Sequence, residues 1–544
     1  MLTAAAVVLM AGWNAYICLR LRPDLPTTLI NLSFWLVPVL LLAALSGHAW
    51  RSVALGTAAT FALQRLHAIK WRYFEQTWTA ADLRFLVDRS NWGVLRQYPE
   101  ALGFVVAVVT LFVVTWVLSA PGPRLLPKIR AGAAIVALTL VGGVVHWRHL
   151  HPFDPFGFNL YGHFASLVFS ASTLGYEPPV VEASSALYLS RAATVPDVVP
   201  AAATRGAAPD LVLWLQESTM DPGVFDLPGA HLPVLDMYVP DAWTRAHGRL
   251  RVHSWGGGTW LTEFALLTGL SHEDFGAAGN GVYYTATPHI RFTLPDLLKE
   301  RGYHTVALSG APKGLYNTST AQRDLGFDEI LDPLDFPEWG GKSLTTHVIS
   351  DDELGRYALQ VLSRPHDRPL LLFVLSMMQH GPYASTHPVG YGLEHTNLPG
   401  TQPNRISDYL GRLDATNRAA QAFGTRLLAM PRPIVYAYFG DHQPNLGGVL
   451  PYDPGVTSPQ FLTHYVVKTN FASPAPRVEA APLDVSYLGA LILEQAGVPL
   501  NVLFDANRRM RVLCEGQLSD CPDHALTASY RAHLYGDLRA AGLP

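Results

Sequence analysis

Ser254-Trp-Gly-Gly-Gly-Thr-Trp-Leu-Thr-Glu-Phe264 sets three consecutive glycines against a threonine and then an apolar pattern with helical spacing, Trp260, Phe264, Leu267 and Leu270. Glycines allow tight turns and close backbone approach to a ligand. The helix behind them directs unpaired N–H groups and its positive dipole end at whatever sits there. The Thr259 hydroxyl is placed to attack, or to be held against, a phosphate or sulfate. The competing reading is that Thr259 serves only as a helix N-cap, and the segment alone favours the cap.

Outward from this stretch, short apolar runs alternate with helical patterns. Leu211-Val-Leu-Trp-Leu215, His304-Thr-Val-Ala-Leu308, Leu370-Leu-Leu-Phe-Val-Leu375 and Ile434-Val-Tyr-Ala-Tyr-Phe439 read as strands, and residues 292–301, 351–362 and 408–430 as helices. Near-continuous apolar strands separated by helices predict a mainly parallel sheet covered on both faces. In such sheets the active crevice lies beyond the carboxyl ends of the strands. At those ends stand Gln216-Glu217-Ser218-Thr219, Met377-Met-Gln-His380-Gly-Pro-Tyr383 and Gly440-Asp441-His442-Gln443-Pro444. Glu217, Asp441 and His442 form a mixed oxygen and nitrogen set suited to a divalent cation, with the Thr259 oxygen as fourth ligand. An isolated Asp-His pair is ordinarily a solvated turn; its coincidence with Glu217 and the glycine loop turns the balance toward a metal site.

The first 150 residues read differently. Of the whole chain only 15% of residues are charged, against about 25% for a soluble domain, and the deficit is concentrated there. Apolar runs at 2–19, 29–45, 53–63, 101–120 and 131–145 are read as about five transmembrane spans, the third the weakest. Arg124, Lys128 and Arg130 place their loop in the cytoplasm by the positive-inside rule and the rest of the chain outside, although Arg20 and Arg22 argue the other way. The aromatic and charged stretch 70–98 reads as an interfacial amphipathic segment or, equally, a polar loop. The expected division is a membrane domain at 1–150, a membrane-proximal segment and Ala/Pro linker at 151–209, a catalytic domain at 210–513 and a tail at 514–544. A net charge of −4 gives no indication of nucleic acid as a partner. Cys514 and Cys521 are expected to pair if the C-terminal end lies outside the cytoplasm.

The motifs Glu217-Ser-Thr, Gly-Gly-Thr259 with Glu263-Phe264, His380-Gly-Pro-Tyr and Gly440-Asp-His442 occur in the order found in the sulfatase-like branch of the alkaline phosphatase superfamily. The chain resembles its membrane-bound phosphoglycerol transferases, such as lipoteichoic acid synthases. The resemblance covers about residues 210–500. It implies that Glu217, Thr259, Asp441 and His442 hold one divalent ion, manganese first and magnesium or zinc as alternatives. It also implies that Thr259 is the nucleophile and that His380 lies against the phosphoryl group or the leaving oxygen. No Cys-x-Pro-x-Arg pattern accompanies Thr259, which argues against sulfate-ester hydrolysis.

Where lipoteichoic acid synthases carry an aromatic-Asn-Arg head-group contact, this chain has Leu315-Tyr-Asn317-Thr. Lys313, Asn317 and Arg323 are therefore the substrate-binding candidates, with Arg291 and His289 for phosphate. The implied reaction is phosphoglycerol transfer from a phospholipid donor, through a phosphothreonine, to an envelope glycan or lipid, on the outer face of a bacterial cytoplasmic membrane. The alternatives are a phosphoethanolamine transferase, a phosphodiesterase or phosphatase, and a catalytically inert envelope scaffold.

Overall fold

The computed structural model describes residues 25–74, 99–118, 124–150, 175–197, 208–344, 348–447, 450–478 and 482–542, with the isolated residues 12 and 80. The chain divides into two compact units, Met1–Gly175 and Tyr176–Pro544.

Among the described residues of the second unit, eight strands form one sheet. They are β1 (Asp210–Gln216), β2 (Thr244–Arg251), β3 (His304–Ser309), β4 (Glu329–Leu331), β5 (Leu370–Leu375), β6 (Ile434–Gly440), β7 (Leu462–Thr469) and β8 (Leu483–Asp484). Their spatial order is β4-β3-β5-β1-β6-β7-β2-β8. From β4 to β6 all neighbours are parallel. β7 runs antiparallel to both β6 and β2, which makes the sheet mixed but mainly parallel.

Every residue of β1 is buried. Because side chains alternate along a strand, Leu211, Leu213 and Leu215 enter one core and Val212 and Trp214 the other. The first core is completed by Phe264 and Leu267 of helix Thr259–Thr268, Leu488 and Leu491 of helix Val485–Ala496, and Met510 of helix Val502–Leu513. The second core takes Leu354 and Ala358 from helix Asp351–Ser363 and Ile406 and Leu410 from helix Gln402–Leu428. Two apolar faces covered by helices are what near-continuous apolar strands require.

All four strands expected from sequence are present. The helix expected at 292–301 starts at Leu294, because the Thr293 side chain accepts from the Asp296 N–H and Pro295 occupies the first turn. The one expected at 408–430 starts earlier, at Gln402. β2, Thr-Arg-Ala-His-Gly-Arg-Leu-Arg, is nearly without an apolar run and was not anticipated. Its alternating burial marks a strand with one covered face.

Residues 514–542 are built into this unit. Cys514 and Cys521 form a disulfide, and both cysteines, with Leu526, Tyr530 and Leu534, join the first core. At the other end, helix Ala186–Ala192 and the residues after it are held by Arg509, whose guanidinium donates to the carbonyls of Ala192 (2.8 Å) and Val195 (3.0 Å).

The first unit contains helices Leu25–Ser46, Ala49–Phe74, Pro99–Leu118 and Pro127–Leu150. Among the described residues one helix, Pro127–His146, is long and apolar enough to cross a membrane, while the apolar parts Trp35–Ser46 and Gly103–Val117 are shorter. The third expected span falls within Ala49–Phe74, which carries Arg51, Gln64, Arg65, Lys70 and Arg72. The expected span at 2–19, most of the aromatic stretch 70–98, and residues 151–174 and 198–207 lie outside the described residues.

Candidate active site

β1 and β6 lie side by side with Gln216 paired to Gly440. The residues that follow, Glu217 and Asp441, therefore leave the sheet together at its carboxyl end. Gly440 is required there: a Cβ on it would lie 1.8 Å from the carbonyl oxygen of Thr219.

Asp441 Oδ1 accepts from the Ser218 N–H (2.6 Å) and the His442 N–H (2.7 Å). Its Oδ2 is buried and receives no hydrogen bond from the described residues. His442 Nδ1 lies 3.0 Å from the Gln443 carbonyl oxygen. A carbonyl only accepts, so this contact assigns the proton to Nδ1 and leaves Nε2 with a free lone pair. That lone pair faces Asp441 Oδ2 at 3.2 Å, Glu217 Oε1 at 3.4 Å and Thr259 Oγ1 at 3.5 Å.

The glycine loop does what its sequence requires. Gly256, Gly257 and Gly258 have φ of 69°, 148° and 94°, a region that disfavours side chains. The Gly256 N–H donates to the Gln443 carbonyl (3.0 Å), tying the loop to the segment after β6. Gly258 occupies the N-cap position of helix Thr259–Thr268 without a side-chain cap. Thr259 is thus not the cap; its hydroxyl donates to Glu217 Oε2 at 2.8 Å. Thr262, one turn on, donates to the Asp441 carbonyl at 2.7 Å.

Ligand atoms of Glu217, Asp441 and His442 converge to within 4.8 Å of one another, and all three residues are buried. Burial pushes the Glu217 carboxyl up, but the imidazoles of His442 and His380 and the hydroxyls of Thr259 and Ser218 outweigh it and hold it below the ordinary range. Burial, and then the Glu217 charge, push Asp441 well above the ordinary carboxylate range. Burial lowers His442. Two carboxylates, one of them with an orphaned buried oxygen, and an imidazole lone pair aimed at the same point repel one another unless a cation lies between them. The donor set fits a divalent ion.

His380 follows β5, with its Nδ1 2.6 Å from the Gly381 carbonyl oxygen, and it contributes to the lowering of the Glu217 pKa. Its loop is fixed from helix Gln402–Leu428. Arg412 donates to the carbonyls of His380 (2.7 Å) and Pro382 (3.2 Å) and pairs with Asp408 at 2.8 Å. Tyr409 donates to the Ser218 carbonyl at 2.8 Å, and its ring meets Tyr383 edge-on at 5.5 Å. These supporting residues were not read from sequence. The signal available was the Asp408 and Arg412 pair at i,i+4.

The substrate-binding candidates are scattered. Lys313 Nζ is bound to both carboxylate oxygens of Asp335, at 2.6 and 2.7 Å. Arg291 turns to the C-terminal segment, donating to the Leu538 carbonyl at 3.4 Å, and His289 stacks on Tyr176. Arg323 is exposed on helix Thr318–Asp324. Asn317 donates to the Tyr283 carbonyl at 2.6 Å, and its neighbour Tyr316 stacks on Trp260 with ring centroids 4.6 Å apart, so this segment rests on the residue after Thr259. None of these residues hydrogen-bonds to the Glu217–Asp441–His442 group. Glu263, one turn beyond Thr259, is buried among Tyr283 and Gln322, and burial raises its pKa to about 7.

The sequence profile of the sulfatase family matches residues 209–498. Over 498 residues the chain is 31% identical to an uncharacterised protein of Haemophilus influenzae, covering 88% of this chain and 89% of that one. It is 29% identical over 245 residues to the capsular polysaccharide biosynthesis protein RkpI of Rhizobium meliloti, covering 44% of this chain and 42% of that protein. Among solved structures it is similar to the Streptococcus pyogenes phosphoglycerol transferase GacH in complex with sn-glycerol-1-phosphate. That likeness spans 66% of this chain and 94% of the other at 20% identity with a TM-score of 0.51, and is one of fold.

Proposed function

The chain belongs to the sulfatase family, within the alkaline phosphatase superfamily, and on that footing we propose that it transfers phosphoglycerol from a membrane phospholipid to a hydroxyl of an envelope glycan or lipid. The observation that carries this reading is the Thr259 hydroxyl, 2.8 Å from Glu217 Oε2, at the edge of the Glu217–Asp441–His442 donor set and at the start of a helix.

Glu217 orients the Thr259 oxygen and accepts its hydrogen bond. Thr259 Oγ1 forms the new bond to phosphorus, and the bond from phosphorus to the diacylglycerol oxygen breaks. His380 protonates that leaving oxygen, while Glu217 holds the proton released by Thr259. In the second half the acceptor hydroxyl gives its proton to His380 as its oxygen bonds to phosphorus, the bond from phosphorus to Thr259 Oγ1 breaks, and Glu217 returns its proton to the departing Thr259 oxygen. The relay divides one displacement into two. Glu217, Asp441, His442 and the Thr259 oxygen would hold one divalent cation (manganese, with magnesium and zinc also suited), which when bound offsets carboxylate charge and draws electron density from the phosphoryl oxygens. The helix N-terminus at Thr259 adds N–H groups suited to the same oxygens. The apolar helix Pro127–His146 suits a membrane-tethered enzyme whose donor stays in the bilayer, with the catalytic unit on the outer face of a bacterial cytoplasmic membrane.

Intact-mass analysis of the full-length protein, incubated with phosphatidylglycerol and manganese, tests this. A gain of one phosphoglycerol that disappears in Thr259→Ala is expected. A phosphoethanolamine adduct from the corresponding lipid instead would change the transferred group. No adduct from any phospholipid, in protein that holds metal, would overturn the transferase reading.

A further inference from the structure

Two of the basic residues suggested by sequence are engaged elsewhere, Lys313 by Asp335 and Arg291 by the C-terminal segment. At the catalytic end of the sheet stands an arginine with no such engagement. Arg405 lies in the first turn of helix Gln402–Leu428, which lies between β5 and β6 in the chain. The same end of that helix carries Tyr409, bonded beside Glu217, and Asp408 and Arg412, which fix the His380 loop.

Arg405 lies against Gly447, where a Cβ would come within 2.8 Å of Nη1. Gly447 belongs to the loop that begins with Asp441 and His442. Two residues earlier in that loop, Asn445 packs on the nucleophile loop, with its Cβ 3.3 Å from the Cβ position of Gly256. The contacts Gly256–Asn445–Gly447–Arg405 therefore join Arg405 to the glycine loop that leads into Thr259. The Arg405 side chain is half-buried, and among the described residues its buried Nε has no acceptor and no carboxylate pairs with it. A guanidinium keeps its charge at any working pH, so a partly desolvated one without a counter-ion is a standing demand for an anion.

We propose that Arg405 is an anion-binding side chain of the substrate pocket and that its ligand is a phosphate ester. This rests on the phosphotransferase reading and deepens it. The planar fork, with Nε on one edge, suits two parallel hydrogen bonds to two phosphate oxygens. The phosphate can be that of a lipid head group or of a soluble ester with the same oxygens.

The test uses the full-length protein loaded with manganese, as wild type, Arg405→Gln and Arg405→Lys. Calorimetry reads binding of sn-glycerol 1-phosphate and of inorganic phosphate, and intact mass reads the rate of adduct formation against phosphatidylglycerol concentration in vesicles. Arg405→Gln is expected to weaken binding and raise the half-saturating lipid concentration by about tenfold or more, the worth of one charge-assisted contact. Arg405→Lys is expected to recover part of the loss. Its melting temperature should stay close to that of the wild type, since no native ion pair is removed. A change in the lipid arm alone assigns the ligand as the lipid phosphodiester; a change in both arms assigns phosphate oxygens from either source. If the wild type forms an adduct and Arg405→Gln matches it in every arm, Arg405 has no such role. If the wild type forms no adduct but Arg405→Gln loses glycerol phosphate binding, the anion site stands and the transferase reading falls.

Discussion

His253 Nε2 and Asp484 Oδ2 lie 3.0 Å apart in an ion pair closed off from solvent on all sides. His253 Nδ1 is 3.2 Å from Ser271 Oγ, and His272 Nε2 donates to the His253 carbonyl at 3.2 Å. His253 precedes the glycine loop, and Ser271 and His272 follow helix Thr259–Thr268, so one imidazole joins the two ends of the segment that carries Thr259. Asp484 caps the next helix by accepting from the Ser486 N–H at 3.0 Å, which ties that segment to the core.

Burial pulls the His253 pKa down, but the Asp484 carboxylate, with Glu273 beyond it, outweighs burial and raises it to about 9 from 6.5. A raised pKa gives stability that is complete below the unfolded value and is lost as pH climbs through the folded one. The pair should therefore contribute about 3 kcal/mol below pH 6.5, fading by pH 9. Asp484 is shifted the other way: burial raises it, the His253 imidazolium outweighs burial, and its contribution is lost only in acid below the ordinary 3.8. Thermal unfolding from pH 6.5 to 9.5 should show a gap between wild type and His253→Gln that narrows as pH rises; a constant gap contradicts the assignment.

Chelation should lower the melting temperature and abolish transfer, because Glu217 and Asp441 are then left to repel each other in a buried site. Saturating metal at a hundred times its Kd contributes about 2.7 kcal/mol. Asp441→Asn should lose the metal-dependent shift. An unchanged shift in that variant would place the ion elsewhere.

His380→Ala should reduce kcat by about 10²–10⁴-fold while leaving metal content intact, since His380 is not one of the three converging residues. Arg412→Ala should produce a milder fall in kcat by freeing the carbonyls of His380 and Pro382. Metal analysis beside steady-state kinetics checks both, and loss of metal from either variant would show that its effect is not confined to the His380 loop.

Gly440→Ala should cost about 1–3 kcal/mol or more, as overpacking does, because the clash at 1.8 Å is with backbone, the Thr219 carbonyl. Since Gly440 precedes Asp441, metal content should fall along with the melting temperature. A variant that melts like the wild type and retains metal would mean that the strand end yields without cost.

The parts of this protein that depend on local pattern are legible in its order of residues. Four buried strands, the helices between them, the glycine loop and the residues at the strand ends were legible because a strand covered on both faces must be apolar throughout, and because polar groups just past such strands have few structural reasons to be there. The strand β2 was not legible, since Arg and His alternate along it and its pairing with β7 supplies what its composition lacks. The meeting of Glu217 with Asp441 depends on the pairing of β1 with β6, two strands more than 200 residues apart, which no local pattern encodes. Tertiary contacts likewise decided the fates of the basic residues. Lys313 found Asp335, Arg291 found the C-terminal carbonyls, and Arg405, unremarked in the sequence, was left against Gly447 with no carboxylate partner among the described residues, because a charge's role is set by the neighbours that folding brings to it.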